Sequence, residues 1–244
     1  MLSIICPIYN ETKYIDVCIQ SILLQDYPKE HLEVLFVDGM SQDGTRDIVG
    51  SYSKQYPFIR LLDNEKRIVP VAMNIGIKAS IGDIVMRLDA HAQYPPNYFS
   101  VLVKELVRLR ADNVGVACKT DVLNKTSKTL AIREVLSNRF GVGNSTFRLG
   151  VDKVIEVDTV PFGCWKKDVF NKYGFYDERL IRNQDIELNK RIVRGGGHIF
   201  IVPDTYCTYL ARETFDGLAK NNFGNGKWNI LTVYYTKQFK SLSV

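Results

Sequence analysis

Four short apolar runs, each followed by a polar turn or an amphipathic stretch, occupy the first 90 residues. This alternation restricts the fold more than any other feature of the chain. "LSIICPI", "EVLFVD", "FIRLL" and "DIVMRL" are too short for helices and rich in branched residues, which predicts strands buried on both faces. Between them, Ile15, Cys18, Ile19, Ile22 and Leu23 recur at helical spacing. "SQDGTRD" turns into a second helix with Ser41 or Asp43 as its cap, and "VPVAMNIGIKAS" supplies a third. Such alternation predicts an α/β fold with a Rossmann-like, mostly parallel central sheet flanked by helices. Ligands in these sheets bind beyond the carboxyl ends of the strands, where the chain reverses direction.

The remaining 150 or so residues read less regularly. A helix is expected over 97–110, a strand at "VGVACK" and a helix over 126–139. "RFGVGNSTFRLGVD" has three glycines and no periodicity, which predicts a mobile loop, with Gly141 to Gly150 closing over a ligand. "VIEVDTVPFGCWKKDVF" reads as strand, turn and helix start. "NQDIELNKRIVRGGGHIFIVP" reads as a helix closed by glycines and then a strand. The tail "FGNGKWNILTVYYTKQFK" mixes aromatic and basic residues. With no repeat or linker, one domain is expected over 1–244.

Composition excludes several classes. A formal net charge of +5 suits an anionic ligand or a membrane surface but is too small to indicate nucleic acid. The five cysteines are scattered with no CxxC pair, as expected of reduced thiols rather than a disulfide framework or zinc site. The first strand begins at Leu2, so no signal peptide is expected. No run approaches the roughly 20 apolar residues of a membrane span. Together these predict a cytoplasmic protein.

Polar groups collect where the sheet should bind. Asn10 and Glu11 follow the first strand, Asp38 ends the second, and Asp89 and His91 end the fourth. One carboxylate at a strand end is usually a turn former, but three such ends together indicate a site. Asp89 and His91 flank a small Ala90 and can reach one ion; carboxylate with imidazole suits Mn²⁺ well and Mg²⁺ acceptably. Such a metal neutralises a departing diphosphate. The plainer reading is a strand end meeting water. Asp43, ahead of Gly44 and Thr45, reads as a helix cap.

"SIICPIYNE", "FVDGMSQDGT", "MNIGIKASIGDIVMRLDAHA" and "NQDIELNKRI" resemble, in this order and spacing, the family 2 glycosyltransferases of the GT-A fold. The likeness is to the succinoglycan-type exopolysaccharide branch and spans roughly residues 1 to 230. It implies a metal-dependent, inverting transfer from a nucleotide-diphosphate sugar, UDP-glucose or a relative, to a saccharide acceptor. That acceptor would be lipid-linked, at the inner face of the cell membrane. By resemblance, Pro7, Tyr9 and Glu11 line the nucleotide pocket and Asp38 holds the base or ribose. Asp89 and His91 occupy the positions that contact ribose and metal, Mn²⁺ or Mg²⁺. Gly39 stands where the commoner pattern has a second Asp. Asp185 would be the base that takes the acceptor's proton, as a carboxylate can when the hydroxyl acidifies during bond formation; alone it reads as a carboxylate favoured by a helix dipole. Phe162 and Trp165 are candidate acceptor contacts, against core filling as the plainer use of an aromatic. Lys227 and Trp228 partly match a basic–Trp motif of processive synthases, and Lys227 would meet the diphosphate as a point charge. Residues 1–92 would then form the donor half, 93–230 the acceptor half and 231–244 a basic aromatic tail. Two rivals stay open: a nucleotidyltransferase, although "CPIYNETKY" lacks a glycine-rich phosphate loop, and a noncatalytic nucleotide-sugar or glycan-binding protein of the same fold.

Overall fold

A computed structural model of the chain describes residues 1–138 and 146–237. The first half follows the predicted alternation: β1 (Leu2–Ile8), α1 (Ile15–Leu23), β2 (Leu32–Asp38), α2 (Thr45–Gln55), β3 (Ile59–Asp63), α3 (Val69–Ala79) and β4 (Ile84–Arg87). β1 lies between β2 and β4, parallel to both, with Leu2 opposite Leu32 and Ile84. β1 and β2 are almost continuously apolar because both their faces are covered, whereas the edge strand β3 exposes Arg60 and Asp63. Ile4, Cys6 and Ile8 of β1 join the core beneath α1 and α2, while Ile5 joins the core beneath α3. That second contact is close: a Cβ on Gly76 of α3 would stand 2.5 Å from the Ile5 side chain. Only glycine lets this helix approach so near.

The second half adds β5 (Ala92–Gln93), α4 (Tyr98–Arg108), β6 (Asn113–Asp121) and α5 (Ser127–Ser137), then α6 (Thr146–Leu149), β7 (Ile155–Glu156) and β8 (Cys164–Lys166). It closes with α7 (Asp168–Tyr173), α8 (Gln184–Arg194), β9 (Ile199–Leu210) and α9 (Phe215–Thr236). The described strands form one sheet, ordered β3-β2-β1-β4-β8-β6-β9-β5, with β7 pairing β9 to the side. β6 and β9 run with the first four strands; β5, β7 and β8 run against them. β8 is wedged antiparallel between β4 and β6, so a strand from late in the chain joins the two halves. This α/β architecture, with six strands in one direction, is the expected GT-A sheet.

Three expectations change. The tail is not a separate element, because α9 runs without a break across the expected boundary at residue 231. Part of the expected loop is helical at α6, packed beside β6; Gly141 to Ser145 lie outside the described residues, and so do 238–244. β5 is too short to have shown any period, and its pairing with β9 was not foreseen. All five cysteines are buried free thiols, and no described helix is long and apolar enough to cross a membrane.

Candidate active site

The loops after β1 and β2 are fastened to each other. Asn10, in the left-handed region at φ 55°, receives the Gln42 amide on its side-chain oxygen and donates its own amide to Ser41 Oγ. Such a φ suits asparagine better than most residues. The Glu11 amide donates to Thr45 Oγ1 at 2.8 Å, and the Thr12 amide to Asp43 Oδ2 at 3.1 Å. Asp43 also accepts from the Thr45 amide at the start of α2, but the N-cap itself is Gly44, so Asp43 stands one residue ahead of the expected cap position. Partial desolvation opposes its charge, yet hydrogen bonds from Thr12 and Thr45 hold the carboxyl well below the usual range.

Asp38 departs from its expected role. Its side chain is wholly buried, one oxygen taking Ser41 Oγ and the other the Ser41 amide and Arg46 Nη1. It presents no solvent-facing oxygen to a base or ribose; it fixes the β2–α2 loop and Arg46, which reaches on to Asp63 at 2.7 Å. Beside it, Tyr9 is exposed and lies across Gly39, where a Cβ would stand 3.0 Å from the tyrosine ring. The absent second acid is thus the space the Tyr9 ring uses.

The Asp89–Ala90–His91 turn is held from four sides. The Asp89 amide donates to Tyr94 Oη at 2.8 Å, whose hydroxyl returns to the Asp89 carbonyl at 3.2 Å. Cys18 Sγ approaches the same carbonyl, and the Leu210 amide donates to the His91 carbonyl at 3.1 Å. Ala90 is buried, so the small residue is required by packing. His91 Nδ1 then stands 3.5 Å from Glu11 Oε1, with the rings of Tyr14 and Tyr209 edge-on around it. Burial and Arg212 work against the imidazolium, but Glu11 and Asp89 outweigh them and raise its pKa above the ordinary value. Glu11, Asp89 and His91 thus meet in one place.

Arg87, two residues before Asp89, is the component that sequence reading missed. It is buried, and both Nε (3.2 Å) and Nη2 (3.0 Å) donate to Asp89 Oδ1. Burial opposes its charge, but Asp89 first, then Tyr176 and Asp185, raise its pKa above the ordinary range. Its Nη1 and the neighbouring Tyr176 hydroxyl are both buried without a hydrogen bond among the described residues. Arg87 is thus bonded to the Asp89 turn and lies within electrostatic reach of Asp185, with no hydrogen bond to it among the described residues. The pattern that could have revealed it is its i, i+2 relation to Asp89, which puts both on one side of an extended chain.

Asp185 sits in the first turn of α8, after Asn183 in the left-handed region at φ 61°. Its Oδ1 accepts the Ile186 amide at 2.9 Å, the helix-terminus duty its position also predicted. The aromatic candidates fare differently from expectation. Trp165 is 1% exposed, packed against Phe170 and Tyr176, and offers no face to a sugar. Phe162 is mostly buried under the Arg87 guanidinium, 5.8 Å from its ring centre. Both fill the core because β8 lies inside the sheet rather than at its rim. Lys227 is on the exposed side of α9, among Phe223 and Ile230, and joins none of these contacts. The basic group near His91 is instead Arg212, just after β9.

No described group of three acid, His or Cys side chains forms a ready metal cage. Asp89 and His91 nevertheless fit a divalent ion that takes its other ligands from phosphate: one carboxylate and an imidazole stand on one rigid turn, and Oδ2 of Asp89 takes no described hydrogen bond.

A twisted α/β sheet whose strand ends gather an acid–imidazole turn beside a helix-borne carboxylate defines a GT-A glycosyltransferase architecture. Residues 3–174 match the model for glycosyl transferase family 2, and the chain belongs to that family. It is 30% identical over 236 residues to the succinoglycan biosynthesis protein ExoA of Rhizobium meliloti, covering 92% of this chain and 67% of that one. It is 29% identical over 230 residues to the dolichyl N-acetyl-alpha-D-glucosaminyl phosphate 3-beta-D-2,3-diacetamido-2,3-dideoxy-beta-D-glucuronosyltransferase of Methanococcus voltae, covering 92% of this chain and 71% of that one. Among solved structures, S. aureus TarS 1-349 with UDP-GlcNAc superposes with a TM-score of 0.67 at 19% identity, covering 87% of this chain and 59% of that one. The mannosyltransferase PcManGT of Pyrobaculum calidifontis, with GDP-Man and Mn²⁺, gives 0.67 at 21% identity, covering 88% and 58%. The chain thus spans less than two thirds of either solved structure, and at these identities they carry the fold alone.

Proposed function

We propose that the chain transfers a sugar from a nucleotide-diphosphate donor, UDP-glucose or a relative, to a saccharide acceptor in surface-glycan synthesis, inverting the anomeric centre. The observation that carries this reading is the rigid Asp89–Ala90–His91 turn at the strand ends, gripped by Arg87 through Asp89 and set beside Glu11 at His91, with Asp185 near enough to bear on the Arg87 charge. Donor and acceptor chemistry therefore share one site. Residues 1–92 supply the donor half, with Pro7, Tyr9 and Glu11 beside the nucleotide, and 93–230 the acceptor half. A divalent ion, Mn²⁺ or Mg²⁺, held by Asp89 and His91 with the donor's phosphates, supplies charge neutralisation for the departing diphosphate. Arg212 adds positive charge at the same place.

Asp185 takes the acceptor hydroxyl's proton as that oxygen bonds to the anomeric carbon. The bond from that carbon to the phosphate oxygen breaks on the opposite side, and its electron pair leaves with the nucleotide diphosphate. One displacement inverts the configuration. The relative named for a dolichyl N-acetyl-alpha-D-glucosaminyl phosphate favours a lipid-linked acceptor, for which we propose the inner membrane face. The test is a thermal-shift panel of UDP-, GDP- and dTDP-sugars with Mn²⁺, Mg²⁺ or EDTA, since a ligand of the native state raises its melting point. A UDP-sugar should stabilise the protein with metal and lose that effect in EDTA or in His91→Ala. Equal stabilisation in EDTA would remove the metal, and stabilisation by GDP-sugars alone would remove uridine. Anomeric NMR of the product checks inversion.

A further inference from the structure

One face of α9 holds the helix to the protein and the opposite face is open. On the inner side, Arg182 donates to Asn221 and Asn225, and Asn183 donates to Asn229 and Thr232. On the outer side, Lys220, Phe223, Lys227, Ile230 and Tyr234 follow one another at steps of three and four residues, and Lys237 caps the helix just beyond them, all six exposed. That spacing returns to one side of a helix, so the first five form a single stripe in which cations alternate with large apolar groups. Phe223 is 77% exposed and Ile230 74%, more than solvent-facing side chains of this size need be.

We propose that this stripe docks the protein on an anionic lipid surface. Aromatic and aliphatic side chains enter the interface between headgroups and acyl chains, while lysines on the same face extend their stems and keep their ammonium groups among the phosphates. The charges decide between a bilayer and a second copy of this chain. Asp216 is the one acidic residue in the helix. Two such stripes packed together would set lysine against lysine. A surface of anionic lipid complements every one of them. Since no described helix is long and apolar enough to cross a bilayer, α9 lies on the surface rather than through it. Its anchor residues Arg182 and Asn183 immediately precede α8, which carries Asp185. Docking would therefore bring the lipid surface beside the proposed base; this last step rests on the glycosyltransfer reading, whereas the docking itself does not.

Flotation with phosphatidylglycerol-rich vesicles and with pure phosphatidylcholine vesicles, without nucleotide sugar, tests the proposal. The protein should bind the anionic vesicles and be released by salt. Lys220→Gln with Lys227→Gln should weaken that binding roughly thirty-fold, since each lysine near an anionic surface is worth about 1 kcal/mol. Phe223→Ser with Ile230→Ser should weaken it at least about ten-fold, given the apolar area withdrawn. Circular dichroism confirms folding, and the lysine pair stands alone as the test if the apolar pair misfolds. Absence of binding, or equal binding to neutral and anionic vesicles, overturns the proposal. So does a dimer in sedimentation that Phe223→Ser with Ile230→Ser converts to monomer. If vesicles bind but no sugar is transferred, the transfer reading fails and the docking stands; the reverse result sinks only the docking.

Discussion

Asp185 accepts the Ile186 amide on one oxygen, so the Asp185→Asn substitution can keep that bond with its amide oxygen while losing the ability to take a proton. Transfer should fall about 10²- to 10⁴-fold with donor affinity and melting temperature nearly unchanged, read by transfer assay, titration and a melting curve. An active but less stable mutant would leave only the helix-terminus role, worth about 1 kcal/mol. Arg87 is expected to behave otherwise. Arg87→Met removes one member of a buried pair and leaves Asp89 without its cation, a change that typically costs about 3–5 kcal/mol. Arg87→Lys keeps the charge but not the two-nitrogen grip on Oδ1; it should fold, melt closer to wild type and still transfer poorly. Wild-type turnover in Arg87→Lys would show that the two-bond geometry is unimportant. At this scale the sequence exposed the carboxylates and His91, because strand-end polar residues stand out against apolar runs. It hid Arg87, Asp38 and Trp165, whose roles depend on burial by distant segments: Phe162 and Tyr176 around Arg87, Arg46 beside Asp38, Phe170 and Tyr176 against Trp165.

Among the longer elements, α9 is the one that sequence pattern did not announce, and its glycines explain why. Gly217, Gly224 and Gly226 lower the helical signal of its sequence, and its two faces are both partly apolar, so no single period emerges. The strands β1, β2 and β4 were legible for the opposite reason: each is short, branched and covered on both sides, and the edge strand β3 still shows as a short apolar run. The same glycines yield a prediction of contrasting outcomes. A Cβ at Gly226 would meet nothing within 4 Å, so Gly226→Ala should stabilise the helix by up to about 1 kcal/mol through its better propensity. At Gly224 the added carbon would stand 3.2 Å from the Arg182 guanidinium carbon, and that side chain already bonds Asn221 and Asn225. Gly224→Ala should therefore gain less, or lose stability, by displacing Arg182. Melting curves of the two single mutants decide; equal gains at both sites would mean that Arg182 does not seat the helix.

For the molecule as a whole, the decisive feature is that β8 binds β4 on one side and β6 on the other. The proposed donor half therefore has its sheet completed by a strand from residue 164 onward, and the proposed acceptor half has its sheet joined through that same strand. A chain divided in this way should unfold as one unit, despite two cores on opposite faces of the sheet. Trp165 is the place to test this, since it stands between Val85 of β4 and Asn113 of β6 and fills the core under α3 and α7. Trp165→Ala should cost about 3–5 kcal/mol, lowering the melting temperature by about 2–4 °C for each kcal/mol in a chain of this size. Its consequence should not stay local. Amides of β1, in the donor half, and of β9, in the acceptor half, should lose hydrogen-exchange protection by similar amounts, because global opening exposes both. If β9 lost protection while β1 kept it, the halves would be separate cooperative units and the single-domain proposal for 1–244 would fall. Equal loss would mean that the strand inserted from the acceptor half is what makes the donor-binding sheet stable.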